Sequence, residues 1–442
     1  MRITSITAGA AGMYCGSCFR DNALAAELLS RGHEVSLVPI YTPTRTDEPN
    51  VSEHHVLFGG ISVYLQQYSR LFRWTPRFLD RIWDAPGVIS LFAGRAISTD
   101  ATLLGGLTIS MLQGERGVLR KEFDKLIDWI REEPLPDVIN LPNSMLIALA
   151  EPLRRATGRP VCCTLQGEEL FLNGLVTPYR DQAIALIREQ ARHVDRFVAV
   201  SDYCAGYMGE LLQIPAAKMA VVPLGIGMGG YERSPASPPA SPPAFRVGYF
   251  ARIAPEKGLH VLAAAYAALR TRMNGAPAQL VAAGYMGPGP APYLDTVRRI
   301  LAKAGLESEF SYAGSIDRQA KLEFLKGLDV LSVPATYDEP KGMFLLEAMA
   351  SGVPVVQPRR GGFVEIVEKT GGGLLVKPDD VGALADGLHA VWSDRGLRDG
   401  LSTRAFAGVR EHYSIKASAD RLLRVYADLQ VGTENTHPVS VG

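Results

Sequence analysis

Glu339 and Glu347 bracket the segment Pro340-Lys341-Gly342-Met343-Phe344-Leu345-Leu346. Acidic pairs are common, so the spacing says little until the neighbours are read. Leu345, Leu346, Ala348 and Met349 are apolar, which places Glu347 inside a largely apolar helix. A carboxylate there calls for a polar partner, because burying one unpaired is costly. Gly352 and Pro354 stop that helix. Apolar runs at 328–333 and 353–357 read as buried strands on either side, so Glu339 falls in a loop at a strand's carboxyl end. Between the two acids, the amides around Gly342, Met343 and Phe344 form a helix N-terminus, a seat for anionic or hydroxylated oxygens. Two acids beside an anion site fit a ligand that offers hydroxyls and phosphates together, as a nucleotide sugar does.

A second set precedes this one by about 80 residues: Gly248-Tyr249-Phe250-Ala251-Arg252, then Lys257-Gly258. A strand delivers Arg252 to its carboxyl end, and Lys257 stands at the start of the next helix. Two fixed cations suit a leaving diphosphate, since arginine grips oxygens bidentately and lysine adds a point charge. Either alone reads equally well as a surface residue; beside the acidic block in one α/β domain they read as a site. Gly361-Gly362, ahead of a helix at 363–368, offers one more amide-rich helix start.

The elements that must position these groups alternate along the chain. Residues 1–8 read as a strand, 9–16 as a glycine- and alanine-rich loop, and 22–31 as an amphipathic helix closed by Gly32. With a strand at 33–40 they complete a βαβ unit and predict a parallel sheet. The glycines at 9, 12 and 16 do not have the Gly-x-Gly-x-x-Gly spacing, and no acid ends the second strand near Ile40, which weakens a nicotinamide reading. A helical pattern runs over 115–133, a strand over 137–141, and Asn143 and Ser144 open another helix. The strand 161–165 ends in Gln166-Gly167-Glu168-Glu169, where α/β proteins place active-site groups. Strands at 197–201 and 220–226 close the first domain, and the proline- and serine-rich stretch 234–243 cannot hold a core. Strands and helices alternate again to about residue 395, and 401–429 is helical.

With 442 residues the chain fits two domains. Basic and acidic residues balance at 46 each, so no global field points to nucleic acid or membrane. Five cysteines predict reduced thiols and a cytoplasmic setting. No apolar run approaches the ~20 residues of a membrane span, and the first residues lack the apolar core of a signal peptide. Residues 64–83 mix aromatics with Arg70, Arg73, Arg77 and Arg81. They read as a packed aromatic stripe under a solvated face, or as a basic face for peripheral contact with an anionic membrane. Cys15 and Cys18 have redox or metal spacing and Cys162 and Cys163 are adjacent, but neighbouring strand residues point to opposite faces. Small buried residues is the better reading. The eight histidines show no metal pattern, and His54-His55 read as a solvated loop.

The block from Glu339 to Val356, the Arg252/Lys257 segment, and the stretch through Gly12 and Arg31-Gly32-His33 resemble retaining glycosyltransferases of the GT-B fold, most closely family 4. The N-terminal segments, including Gly59-Gly60-Ile61, are also similar to glycogen and starch synthases. The resemblance implies an α/β protein of two Rossmann-like, doubly wound domains facing a cleft. It places them at 1–233 and 244–412, joined by a linker at 234–243. A helix at 413–430 crosses back to the first domain, and a disordered tail follows at 431–442. By the same resemblance Glu339 contacts the transferred sugar, Glu347 grips the ribose hydroxyls, Arg252 and Lys257 hold the diphosphate, and Gly12 faces phosphate. Lys341 stands where the family often has phenylalanine. Gln166 stands where it commonly has a histidine near the sugar, so Gln166, with Glu169 beside it, becomes the acceptor-side candidate.

The activity implied is transfer of a hexose from a UDP-, GDP- or ADP-sugar to a hydroxyl of a glycan, lipid or small molecule. Configuration is retained, and neither metal nor other cofactor takes part. An inverting enzyme would need a base in the first domain, for which Asp21 or Glu169 is available. A catalytically silent nucleotide-sugar binder and a nucleotide-sugar epimerase on the same fold are the alternatives.

Overall fold

The computed structural model describes residues 1–9, 16–44, 46–53, 56–58, 101–231, 244–287 and 291–434. Gly12, Cys15, His54-His55, the segment 64–83 and the stretch 234–243 lie outside the described residues. The chain forms two compact units, Met1–Pro223 with Ser418–Gly442, and Leu224–Ala417.

In the first unit, strands β1 (Arg2–Thr7), β2 (Glu34–Pro39), β3 (Val138–Leu141), β4 (Val161–Leu165), β5 (Arg196–Ala199) and β6 (Met219–Val221) form one sheet. Their order is β2-β1-β3-β4-β5-β6, and every pairing is parallel. Parallel neighbours need helical crossovers, which cover the sheet faces; that is why β3 and β4 are buried at every position. The chain order reverses between β1 and β3, a switch point where ligands of open α/β sheets bind at the strands' carboxyl ends.

The second unit repeats the plan. Strands β7 (Phe245–Phe250), β8 (Ala278–Ala283), β9 (Phe310–Tyr312), β10 (Val330–Leu331), β11 (Val355–Pro358) and β12 (Gly373–Val376) pair in parallel in the order β12-β11-β10-β7-β8-β9. Its switch point lies between β7 and β10, which sets the loop carrying Arg252 and Lys257 beside the loop carrying Glu339. Both sheets are thus the α/β, doubly wound class expected.

Three details depart from the sequence reading. The apolar run 328–333 yields a ladder of only two residues, Val330–Leu331. Beyond it, the Gln357 side-chain amide, oriented to satisfy both groups, pairs with the backbone C=O and N–H of Val333 at 2.9 and 3.1 Å. Residues 224–231 belong with the second unit, because Ile226 exchanges backbone hydrogen bonds with Tyr413 and Ile415 (3.0 and 2.9 Å). The same bridge breaks the helical run 401–429 into Arg395–His412 and Ile415–Glu434. The last helix rejoins the first unit from Ser418 onward, where the Ser418 hydroxyl donates to the Pro223 carbonyl at 2.8 Å and Arg31 pairs with Asp420. It continues to Glu434, past the expected end at 430.

Among the described residues, no helix is long and apolar enough to cross a membrane.

Candidate active site

β7 ends at Phe250 and the chain turns through Arg252 to a short 3-10 turn, Pro255–Lys257. Gly258 follows with φ +76° and opens the helix Leu259–Arg270. A Cβ at Gly258 would collide with the Pro334 carbonyl oxygen, so glycine is required where this turn meets the loop after β10. Thr336 N–H donates to the Glu256 carbonyl at 2.9 Å and zips the two loops together. Gly258→Ala should therefore destabilise by more than ~2 kcal/mol. Gly275→Ala has a similar φ of +79° but open space around it. It should lose only about 1 kcal/mol, a contrast that urea midpoints of the two variants would measure.

This docking brings Lys257 onto Glu339. The Lys257 ammonium donates to the Tyr337 hydroxyl at 2.7 Å and ion-pairs with the Glu339 carboxylate, to which Tyr337 also donates. Nζ lies 5.0 Å from the Tyr337 ring centroid and 5.7 Å from that of Phe344, close enough for both π faces to favour the charge. The Glu339 side chain is 5% exposed. Burial raises its pKa, but the Lys257 charge and hydrogen bond, the Tyr337 hydrogen bond and the Lys341 charge outweigh it and hold the carboxyl down at about 2. The loop is fixed by its backbone as well: Gly362 N–H donates to the Glu339 carbonyl at 2.8 Å, and Gly361, at φ +52°, packs against Glu339 too closely for a Cβ. Arg360 clamps the preceding turn through the Ala335 carbonyl (3.2 Å) and Asp338 (3.7 Å). Gly361 and Gly362 thus hold Glu339 from behind.

Glu347 sits on the helix Met343–Ala350, whose N-cap is Gly342 at φ +66°. Among the described residues no side chain caps this end, and the helix dipole favours anionic oxygens there. Leu345, Leu346, Ala348 and Met349 are fully buried, and the polar partner that the apolar helix demanded is Lys321, whose Nζ donates to Glu347 Oε1 at 2.7 Å. The Tyr231 hydroxyl reaches the same oxygen at 3.4 Å. Arg252, in contrast, is 53% exposed and paired with Glu256 at 2.5 Å. Lys341 contributes its backbone N–H to Glu339 Oε1 at 3.3 Å.

In the first unit, Gln166 and Glu168 close the end of β4. Glu168 is buried and accepts from Ser144 N–H (3.0 Å), the Ser144 hydroxyl (2.9 Å) and Gln166 N–H (2.7 Å). That joins the loops after β3 and β4. Gln166 donates from Nε2 to the Pro142 carbonyl at 2.7 Å, while its buried Oε1 has no partner among the described residues. Glu169 is buried at the start of the helix Glu169–Gly174. Asp21, the inverting-base candidate, is buried, pairs with Arg20 at 3.2 Å and accepts from the Thr7 hydroxyl at 3.1 Å. Cys18, Cys162, Cys163 and Cys204 are buried, and burial pushes the Cys162 and Cys163 thiols well up. Among the described residues no cluster of three or more His, Cys, Asp or Glu could hold a metal ion.

Sequence reasoning singled out Glu339, Glu347, Lys257 and Gln166, named Glu168 only within the run after β4, and missed Tyr337, Lys321 and Tyr231. Only Lys321 left a trace: it lies one residue before Leu322 and four before Leu325, on the buried stripe of its helix.

The family model for group 1 glycosyl transferases matches residues 232–407, and that for the glycosyl transferase 4-like domain matches 22–225. The chain belongs to the group 1, family-4-like glycosyltransferases. An uncharacterized glycosyltransferase of Methanocaldococcus jannaschii is 30% identical over 40% of this chain and 43% of its own length. The GDP-mannose-dependent alpha-(1-6)-phosphatidylinositol monomannoside mannosyltransferase of Mycobacterium tuberculosis is 27% identical over 56% and 65%. The chain thus spans about two fifths to two thirds of the curated relatives it matches. Two solved structures share its fold end to end. Anabaena HepE in complex with UDP has a TM-score of 0.65 at 19% identity, covering 97% of this chain and 100% of that one. Sucrose-phosphate synthase of Thermosynechococcus elongatus has a TM-score of 0.69 at 18% identity, covering 98% and 100%. This is the GT-B fold that the motifs implied.

Proposed function

We propose that the chain is a retaining hexosyltransferase that uses a nucleoside diphosphate sugar and a hydroxyl acceptor on a glycan, lipid or small molecule. One observation carries the reading. At the switch point of the second sheet and on the helix that follows stand two buried acids, each with its own lysine and tyrosine. Glu339 would accept from hydroxyls of the transferred sugar and Glu347 from the ribose. An ammonium has three donors, and Lys257 uses two on Tyr337 and Glu339, so the third is available to a phosphate oxygen. Arg252, on the exposed rim, would exchange Glu256 for the same diphosphate.

In the proposed reaction the bond from the anomeric carbon to the leaving phosphate oxygen breaks, and its electron pair stays on that oxygen. The acceptor hydroxyl oxygen attacks on the same face, and its proton passes to the departing phosphate. Lys257 and Arg252 would offset the charge that develops, the main electrostatic task of the step, in place of a divalent metal or other cofactor. Gln166 Oε1 would accept from a sugar or acceptor hydroxyl. Five cysteines, an odd count in a chain of this size, favour reduced thiols and a cytoplasmic setting.

By their names, one relative uses GDP-mannose and one structural neighbour binds UDP, so UDP and GDP lead the ligand panel, with ADP and NAD beside them. A ligand at 100 times its dissociation constant adds about 2.7 kcal/mol, readable as a rise in melting temperature. Stabilisation by one diphosphate supports the proposal and identifies the base; stabilisation by NAD alone overturns it. With the matching nucleotide sugar, an epimerase would convert the donor without an acceptor, and a silent binder would leave it intact.

A further inference from the structure

We infer that Lys321 is a positioning residue that fixes Glu347 for a ribose diol and so makes the site selective for ribonucleotides over 2′-deoxyribonucleotides. The inference rests on the proposed nucleotide-sugar reading and deepens it. Lys321 lies on the helix Arg318–Lys326, which Asp317 caps by accepting from Ala320 N–H at 2.9 Å. It stands beside Leu322 and Leu325 on the buried face and is only 4% exposed, an unusual place for an ammonium. Its Nζ reaches Glu347 Oε1 at 2.7 Å, and the Tyr231 hydroxyl meets the same oxygen at 3.4 Å. Tyr231 is itself held: Arg410 donates to its carbonyl, and the Arg318 guanidinium stands 5.9 Å from its ring centroid.

Both protein donors therefore converge on one oxygen. Among the described residues none reaches Glu347 Oε2, and the Glu347 side chain is 11% exposed. Here the lysine holds the carboxylate by one edge and leaves the other for two converging O–H donors. Vicinal hydroxyls supply that pattern; a 2′-deoxyribose supplies half of it. A site built to accept a hydroxyl discriminates against the analogue that lacks it, because its buried acceptor is left unmatched.

The test measures binding of UDP, GDP and ADP and of their 2′-deoxy counterparts by calorimetry, in the full chain and in Lys321→Met, Lys321→Arg and Tyr231→Phe. In the unmodified chain the diphosphate that binds should prefer ribose by about tenfold or more. Lys321→Met should reduce that ratio to within about threefold, and Lys321→Arg should restore most of it. Tyr231→Phe removes a donor without altering charge and should lower the ratio partly. It gives the answer if Lys321→Met does not fold. An undiminished ratio in folded Lys321→Met, or in Tyr231→Phe where Lys321→Met does not fold, overturns the positioning role. Binding that ignores the sugar in the unmodified chain overturns it too, and leaves the transferase reading standing. Binding of none of the six ligands removes both.

Discussion

Glu339→Gln should lower turnover by about 10²–10³-fold while leaving affinity for the nucleoside diphosphate intact or tighter. The two effects run in opposite directions because Glu339 has two relationships. Toward the sugar it is the acceptor that would hold the transferred hexose in line. Toward Lys257 it is the counter-charge, paired in a pocket where the lysine is 13% exposed and the acid 5%. Glutamine keeps the shape but releases the full lysine charge to the phosphates. Single-turnover rates and diphosphate dissociation constants, measured side by side, would separate the two. A parallel loss of both would show that Glu339 acts only by holding the loop together.

The same pair makes a pH statement. The folded-state pKa of Glu339, about 2, lies below its ordinary 4.5. Its contribution to stability is therefore fully present above about 4.5 and is lost as pH falls toward 2. The melting-temperature gap between the unmodified chain and Glu339→Gln should be widest near neutrality and narrow below pH 4.5.

Glu168→Ala should be the most destabilising single change in the first unit, at roughly 3–5 kcal/mol. Its carboxylate takes three donors, Ser144 N–H, the Ser144 hydroxyl and Gln166 N–H, all buried. Removing it strands two backbone amides away from water, each at about 1–3 kcal/mol. For a unit of this size that corresponds to a fall of roughly 6–20 °C in melting temperature. Glu168→Gln retains one acceptor and should fall between. Glu151→Ala, at an exposed position, should leave the transition unmoved. A Glu168→Ala chain that melts like the Glu151→Ala control would mean the loops after β3 and β4 are held by other contacts.

Much of this architecture was legible because the relevant forces are local. Alternating apolar runs and amphipathic helices predict parallel sheets whatever else the chain does. The apolar neighbours of Glu347 required a polar partner before any partner could be named. Glu339 and Glu347 could be recognised together because one loop and one helical turn carry both. The spacing also placed Gly342 at the start of the helix, where φ of +66° suits glycine.

What the linear order could not disclose is who answers whom. Lys257 read as a partner for phosphate alone, because Glu339 lies 82 residues away and only the β7–β10 pairing brings the two loops together. Lys321 reaches Glu347 across 26 residues, and Tyr231 reaches it across 116, from a stretch that read as part of the first domain. Glu168 read as one more polar residue at a strand end, yet the adjacency of β3 and β4 makes it the acceptor for two loops. Periodicity and spacing report on neighbours within a few turns of chain. The charge balance of a buried site depends on strand order, and strand order is decided by how the whole sheet buries its two faces.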